Sequence, residues 1–147
     1  MTSPATTDAT MRLHHIGLAV RSIDEAAGLY AGLFGLRHLS PTIEDPIQQV
    51  RVAFGELAPD VHVEFIEPTS PTSPVAAVVA RGGGFYHLCF TVTSLNDALD
   101  RARSAGALEI VAPVPAAAFG GRRIAFVMMP SRDIIEFLEE GQPATGP

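Results

Sequence analysis

The chain has no lysine, no tryptophan and one cysteine among its 147 residues. The lone thiol, Cys89, excludes an internal disulfide and fits a reducing compartment, so a cytoplasmic location is expected. No apolar run approaches the roughly 20 residues of a membrane-spanning helix, and no membrane partner is expected. Residues 1–11, "MTSPATTDATM", lack the basic end and apolar stretch of a secretion signal, and read with residues 141–147 as frayed tails. Positive charge is scarce: ten basic residues against sixteen acidic ones leave a net charge of −6, which argues against nucleic acid as a partner. All ten are arginines, through either a GC-rich coding sequence or a need for bidentate grips on phosphate or carboxylate.

What is present is a core and a repeat. Hydrophobic residues make up 47% of the chain, enough for one packed domain. Laying His15 over His87 gives an offset of 87 − 15 = 72, and the rest follows without a gap. "HHIGLAVRSIDEA" (14–26) falls on "YHLCFTVTSLNDA" (86–98), "RVAF" (51–54) on "RIAF" (123–126), and "VEFIE" (63–67) on "IEFLE" (135–139). Three segments in one register mark an internal duplication, and two copies suit a pseudo-symmetric domain better than an array.

Each copy reads as βαβββ, an α+β fold. Strands at 13–20 and 86–92 run into Ser22 and Ser94, natural helix caps. The helices that follow, with apolar residues at Ile23, Ala26, Leu29, Tyr30 and Leu33 in the first, stop at Gly35 and Gly106. Further strands are expected at about 36–40, 49–55 and 61–67, and again at 108–112, 122–129 and 133–139. The modules are then 12–68 and 85–140, inside one domain spanning 12–140. The linker 69–84 contains a short helix near 74–81.

Strand alternation sorts the side chains. Leu13, His15, Gly17 and Ala19 share one face of the first strand; bulkier His14, Ile16, Leu18 and Val20 share the other and suit packing. His87, Cys89 and Thr91 form the matching small or polar set. Glu64 and Glu136 sit mid-strand, opposite in facing to Val63, Phe65, Ile135 and Phe137, where a carboxylate is costly unless paired or metal-bound. His15, Glu64, His87 and Glu136 therefore converge between the modules as two imidazoles and two carboxylates. Such a set suits one divalent ion among Co²⁺, Ni²⁺, Mn²⁺, Fe²⁺ and Zn²⁺, each histidine giving its second ring N–H to an outer acceptor.

These stretches, together with "EPTSPTSPVA" and "GGRRIAF", resemble the vicinal oxygen chelate superfamily, the glyoxalase and bleomycin-resistance fold. Within it they look most like the methylmalonyl-CoA epimerases. The resemblance covers Arg12 to Glu140 and carries the family's metal ligands onto the same four residues. It implies two curved sheets around a cleft, a homodimer, and a small-molecule substrate, an acyl-CoA with two chelating oxygens. It also implies abstraction of the proton between those oxygens, with Glu136 as one base. Two departures are visible. "MMPSRD" replaces a His-Pro-Lys-type stretch, and 50–54 lacks a carboxylate that some members carry as an opposite-face base. Glu44, Gln48 and Gln49 lie just upstream without clearly replacing it.

Three other readings share the fold. A glyoxalase I-like lyase or isomerase on a thiol adduct uses the same quartet and the same enolate chemistry. A metal-free drug-binding resistance protein needs no quartet. An extradiol-type dioxygenase usually uses two histidines and one carboxylate, so the fourth ligand counts against it. Arg122 and Arg123 read either as a CoA-phosphate grip or as a solvated turn, and the offset pairs Arg123 with Arg51, which suggests structure. Cys89 reads as core or pocket wall; His38 and His62 have no counterpart under the offset.

Overall fold

A computed structural model describes residues 11–141. The expected frayed tails fall, but for Met11 and Gly141, outside the described residues. The elements run β1 (Arg12–Ala19), α1 (Ile23–Phe34), β2 (Ile43–Asp45), β3 (Val50–Ala58), β4 (Val61–Pro68), α2 (Ala76–Ala80), β5 (Gly84–Val92), α3 (Leu95–Ser104), β6 (Leu108–Pro115), a 3-10 turn (Ala117–Phe119), β7 (Arg123–Met128) and β8 (Ile134–Glu139).

All eight strands form one mixed sheet in the order β2-β3-β4-β1-β5-β8-β7-β6. That order maps onto itself when each strand is exchanged for its repeat partner. The pairing register obeys the same exchange. Gly17 lies beside Glu64 as Cys89 lies beside Glu136, and Phe54 beside Glu64 as Phe126 beside Glu136. Where the two copies meet, antiparallel β1 and β5 pair Ile16 with Leu88, its own repeat partner. The pseudo-two-fold axis therefore passes through that pair, and it interchanges His15↔Cys89 with Gly17↔His87.

Both helices start for the same reason. The Ser22 and Ser94 hydroxyls accept from the backbone N–H of Glu25 and Asp97, both at 3.2 Å. Each helix also receives a carboxylate from the last strand of its module: Ile23 N–H donates to Glu67 at 3.0 Å, and Glu139 takes the equivalent bond from Leu95. Arg51 holds Glu67, and Arg123 holds Glu139 through bonds of 2.9 and 3.1 Å. The two arginines thus have matching structural work at the helix starts.

The helices cover the outer face of the sheet. Ile23, Ala27, Ala53, Val63 and Phe65 pack under α1; Leu95, Leu99, Ala125, Val127 and Phe137 pack under α3. Phe65 is completely buried, and truncating it to alanine should cost about 3–5 kcal/mol. Leu29 and Leu33, expected to belong to the apolar face of α1, are exposed instead. The expected strand at 36–40 is also absent: Arg37 makes only an isolated bridge to Glu56, and β2 forms later, at Ile43–Asp45. His38 takes a positive φ of 58°, which breaks the extended run.

Candidate metal centre

Inside the curl of the sheet, His15, Glu64, His87 and Glu136 come together from the four central strands. All four are buried, and their ligand atoms lie within 4.8 Å of one another. The two Nε2 atoms are 3.0 Å apart. Glu136 Oε1 lies 3.3 Å from His15 Nε2 and 3.2 Å from His87 Nε2; Glu64 Oε1 lies 3.5 and 3.7 Å from them. Bonds of about 2.1 Å place neighbouring donors of one ion about 3.0 Å apart at right angles and about 3.4 Å apart in a tetrahedron.

The chemistry of the set also fits a cation. Two imidazole lone pairs facing each other beside two buried carboxylates need a positive charge between them. Without an ion, a proton supplies it. Burial pushes the His15 imidazole down, but Glu64 and the close approach of Cys89 and Glu136 outweigh this and hold its pKa well above the ordinary histidine value. Burial alone would raise Glu136, but its contacts with His15 and His87 hold its carboxyl at about 2. Its Oε1 is nevertheless buried without a hydrogen bond, as is His87 Nδ1.

Space for the imidazoles comes from small residues across the β1/β5 pair. Gly17 stands opposite His87, and a Cβ there would lie 2.5 Å from its Nδ1 and 2.7 Å from its Nε2. Its repeat partner Cys89 stands opposite His15 and is completely buried, with its thiol pushed up to about 12 chiefly by burial and Glu136. That makes it an inert wall rather than a nucleophile. Phe54 and Phe126 close the outer edges, each edge-on to one histidine with ring centres 5.4 Å apart.

Two residues depart from strict alternation. The β1/β5 register slips between Leu13 and His15 and again between Gly17 and Leu18. The extra residues are His14 on β1 and Tyr86 on β5, repeat partners of each other, and each sits at a bulge that re-aims its side chain. His14 was expected to pack away from the site; its Nδ1 instead lies 2.8 Å from Nδ1 of His15. Tyr86 lines the cavity with His87, Glu64 and Glu136. A ring nitrogen thus lies within hydrogen-bond reach of His15 Nδ1, whereas His87 Nδ1 has no partner among the described residues.

Above the quartet is a cavity of about 270 Å³. Its walls are largely aliphatic and aromatic, with Val50, Val52, Val111, Val114, Phe119 and Phe126 among them. Its acidic side chains are Asp45, Glu64 and Glu136, and among the described residues no arginine lines it. Asp45, which sequence reasoning missed, is buried in the wall. Its carboxylate accepts from Ile47 N–H at 3.0 Å, Gln48 N–H at 3.1 Å, Gln48 Nε2 at 2.9 Å and Ala117 N–H at 3.3 Å. The last bond ties the corner after β2 to the 3-10 turn of the other module across the cavity. So many donors leave Asp45 a structural clasp rather than a free base. Of the upstream residues weighed as replacements, Gln48 serves Asp45, and Gln49 accepts from Ser70 and Thr72. Arg122 bonds the Phe119 carbonyl through Nε at 3.3 Å and lies over that ring.

The comparisons agree with this architecture. The family model described as the glyoxalase/bleomycin resistance protein/dioxygenase superfamily matches residues 14–126. An uncharacterized protein, YqjC, of Bacillus subtilis is 36% identical over 118 residues, covering 79% of this chain and 81% of that one. An ethylmalonyl-CoA/methylmalonyl-CoA epimerase of Cereibacter sphaeroides is 30% identical over 118 residues, covering 79% and 87%. The crystal structure of a methylmalonyl-CoA epimerase from Mycobacterium tuberculosis superposes with a TM-score of 0.74 at 25% identity, covering 88% of each chain. Fold, repeat register and sequence together place this chain in the glyoxalase/bleomycin resistance/dioxygenase superfamily.

Proposed function

We propose that the protein is a divalent-metal-dependent isomerase that removes the proton α to a thioester carbonyl, with 2-epimerisation of methylmalonyl-CoA as the favoured reaction. The observation that carries this reading is the buried His15–Glu64–His87–Glu136 set at the floor of an apolar cavity. On this reading the working unit is one domain, 12–140, whose modules 12–68 and 85–140 each give one histidine and one glutamate. The likeness to curated acyl-CoA epimerases supports the substrate class.

When bound, a divalent ion would polarise the carbonyl and offset the charge left on oxygen after proton loss. The chain's own residues do the rest. Among the described residues no arginine lines the cavity, so a substrate anion finds no guanidinium partner on its walls. On this reading Glu136, ionised and at the cavity wall, is the base that accepts the α-proton. Val50, Val52, Val111 and Val114 keep water from the exposed carbanion. The cavity's size suits the acyl head, leaving the nucleotide end outside.

One observation favours a second reading. The cavity offers Val50 and Val52 where an opposite-face acid would stand, and Asp45 is fully engaged. Inversion needs proton traffic on both faces, whereas a proton shift between adjacent carbons needs one base on one face. A glyoxalase I-like isomerisation of a thiol hemithioacetal fits that asymmetry. Solvent exchange in D₂O separates the two. The metal-loaded protein should exchange the α-proton of methylmalonyl-CoA and not convert the glutathione hemithioacetal; the reverse result moves the assignment to the second reading. Glu136→Gln should keep an oxygen in the metal set yet lose exchange, and full exchange in that variant would remove Glu136 as the base.

A further inference from the structure

His14 has no place in the proposed reaction, yet it touches the quartet. It occupies the β1 bulge, unpaired across the strand because the register passes from Leu13↔Phe90 directly to His15↔Cys89. Its ring meets His15 edge-on, with centres 5.1 Å apart, and meets Phe119 of the opposite module edge-on at 5.5 Å. Phe119 also stacks over His15 at 6.1 Å. The two imidazoles thus touch through Nδ1 while one aromatic ring from the other module braces both.

We propose that His14 is a positioning residue: its Nδ1 accepts the Nδ1–H of His15 and so fixes the tautomer and ring orientation with which His15 presents Nε2 to a divalent ion. The inference rests on the metal reading of the quartet. A histidine offering Nε2 to an ion must carry its proton on Nδ1, and His14 Nδ1 stands 2.8 Å from that atom, a stronger acceptor than the neighbouring Cys89 thiol. His14 must then be neutral, with its own proton on Nε2.

The repeat makes the role asymmetric. Tyr86, the partner of His14, makes no hydrogen bond to His87 Nδ1, which stays orphaned. His87 is held by packing instead, against Gly17 and Phe126. One ligand histidine is oriented by a hydrogen bond and the other by shape.

The test uses Co²⁺ alone, with affinity measured by competition against a chromophoric chelator. His14→Phe keeps a ring against Phe119 but removes the acceptor, and should lose about 10–100-fold in Co²⁺ affinity, the usual range for outer partners of ligand histidines. His14→Asn restores a short acceptor and should recover most of that loss. The Co²⁺ protein should show two solvent-protected, hyperfine-shifted ring N–H signals, from His15 and His87, and His14→Phe should move the His15 signal while leaving that of His87 in place. Undiminished affinity in His14→Phe, or two ring N–H signals that this substitution does not move, overturns the role of His14 while leaving the quartet standing. Wild-type protein that binds no Co²⁺ overturns the metal reading itself.

Discussion

Replacing Gly17 by alanine tests the site through one added methyl group. The new Cβ would stand 2.5 Å from His87 Nδ1 and 2.7 Å from Nε2, and closer still to Cε1, where ordinary contact begins at 3.4 Å. The closest atom, Cε1 at 2.3 Å, requires the ring to move by about 1 Å to reach ordinary contact. His87 has nowhere free to go. It is buried, with His15 Nε2 at 3.0 Å, Glu136 at 3.2 Å and the edge contact to Phe126 on its other side. Overpacking of this kind costs about 1–3 kcal/mol of stability. A shift of that size also takes Nε2 out of register with its three partners, so divalent-ion affinity should fall at least about 10-fold. Chelator competition reads the affinity and thermal unfolding of the metal-free protein reads the stability. Gly17→Ala with both unchanged would mean that the imidazole is not confined as described, and the argument from small residues across β1 and β5 would fail.

Gly28→Ala is the counter-case: it lies mid-helix in α1, exposed, with open space around its Cβ, and should raise stability by about 0.5–1 kcal/mol in denaturant titration. Asp45→Ala strips the acceptor from three backbone N–H groups and should cost about 1–3 kcal/mol; unaltered stability would show that the clasp to Ala117 holds nothing. Glu139 has its carboxyl pKa lowered, first by Arg123, so the native state favours its ionised form. That contribution is present above the usual carboxylate range and lost as pH falls through the lowered value. The side chain is partly exposed, so Glu139→Gln should cost under about 1 kcal/mol at pH 7, and the gap to wild type should close on acidification below pH 4. A gap that persisted in acid would assign the loss to packing instead of charge.

The repeat offset made much of this architecture readable in advance because a duplicated chain constrains itself twice. A strand pairing that serves one copy must serve the other, so aligning His15 with His87 also aligns Glu64 with Glu136 and foretells the palindromic strand order. The misreadings lie where the backbone departs from a two-residue period. Alternation assigns His14 and Tyr86 to the packing face, but each is the extra residue of a bulge, and a bulge leaves no mark in hydropathy. The strand expected at 36–40 failed for a related reason: His38 adopts a left-handed conformation that its side chain does not announce. Asp45 did carry a signal. An aspartate that caps its own following turn is a familiar device, and Asp45 accepts from Ile47 and Gln48 in that way. What no local rule shows is the fourth bond. Ala117 is the residue 72 positions after Asp45, so the clasp joins two positions that the repeat makes equivalent. A carboxylate on one side and a bare N–H on the other let equivalent positions grip each other. Identical side chains there would place two carboxylates face to face. The duplication supplies the symmetric floor that gathers four ligands, and divergence at pairs such as Asp45 and Ala117, His14 and Tyr86, and Gly17 and Cys89 gives that floor its two different sides.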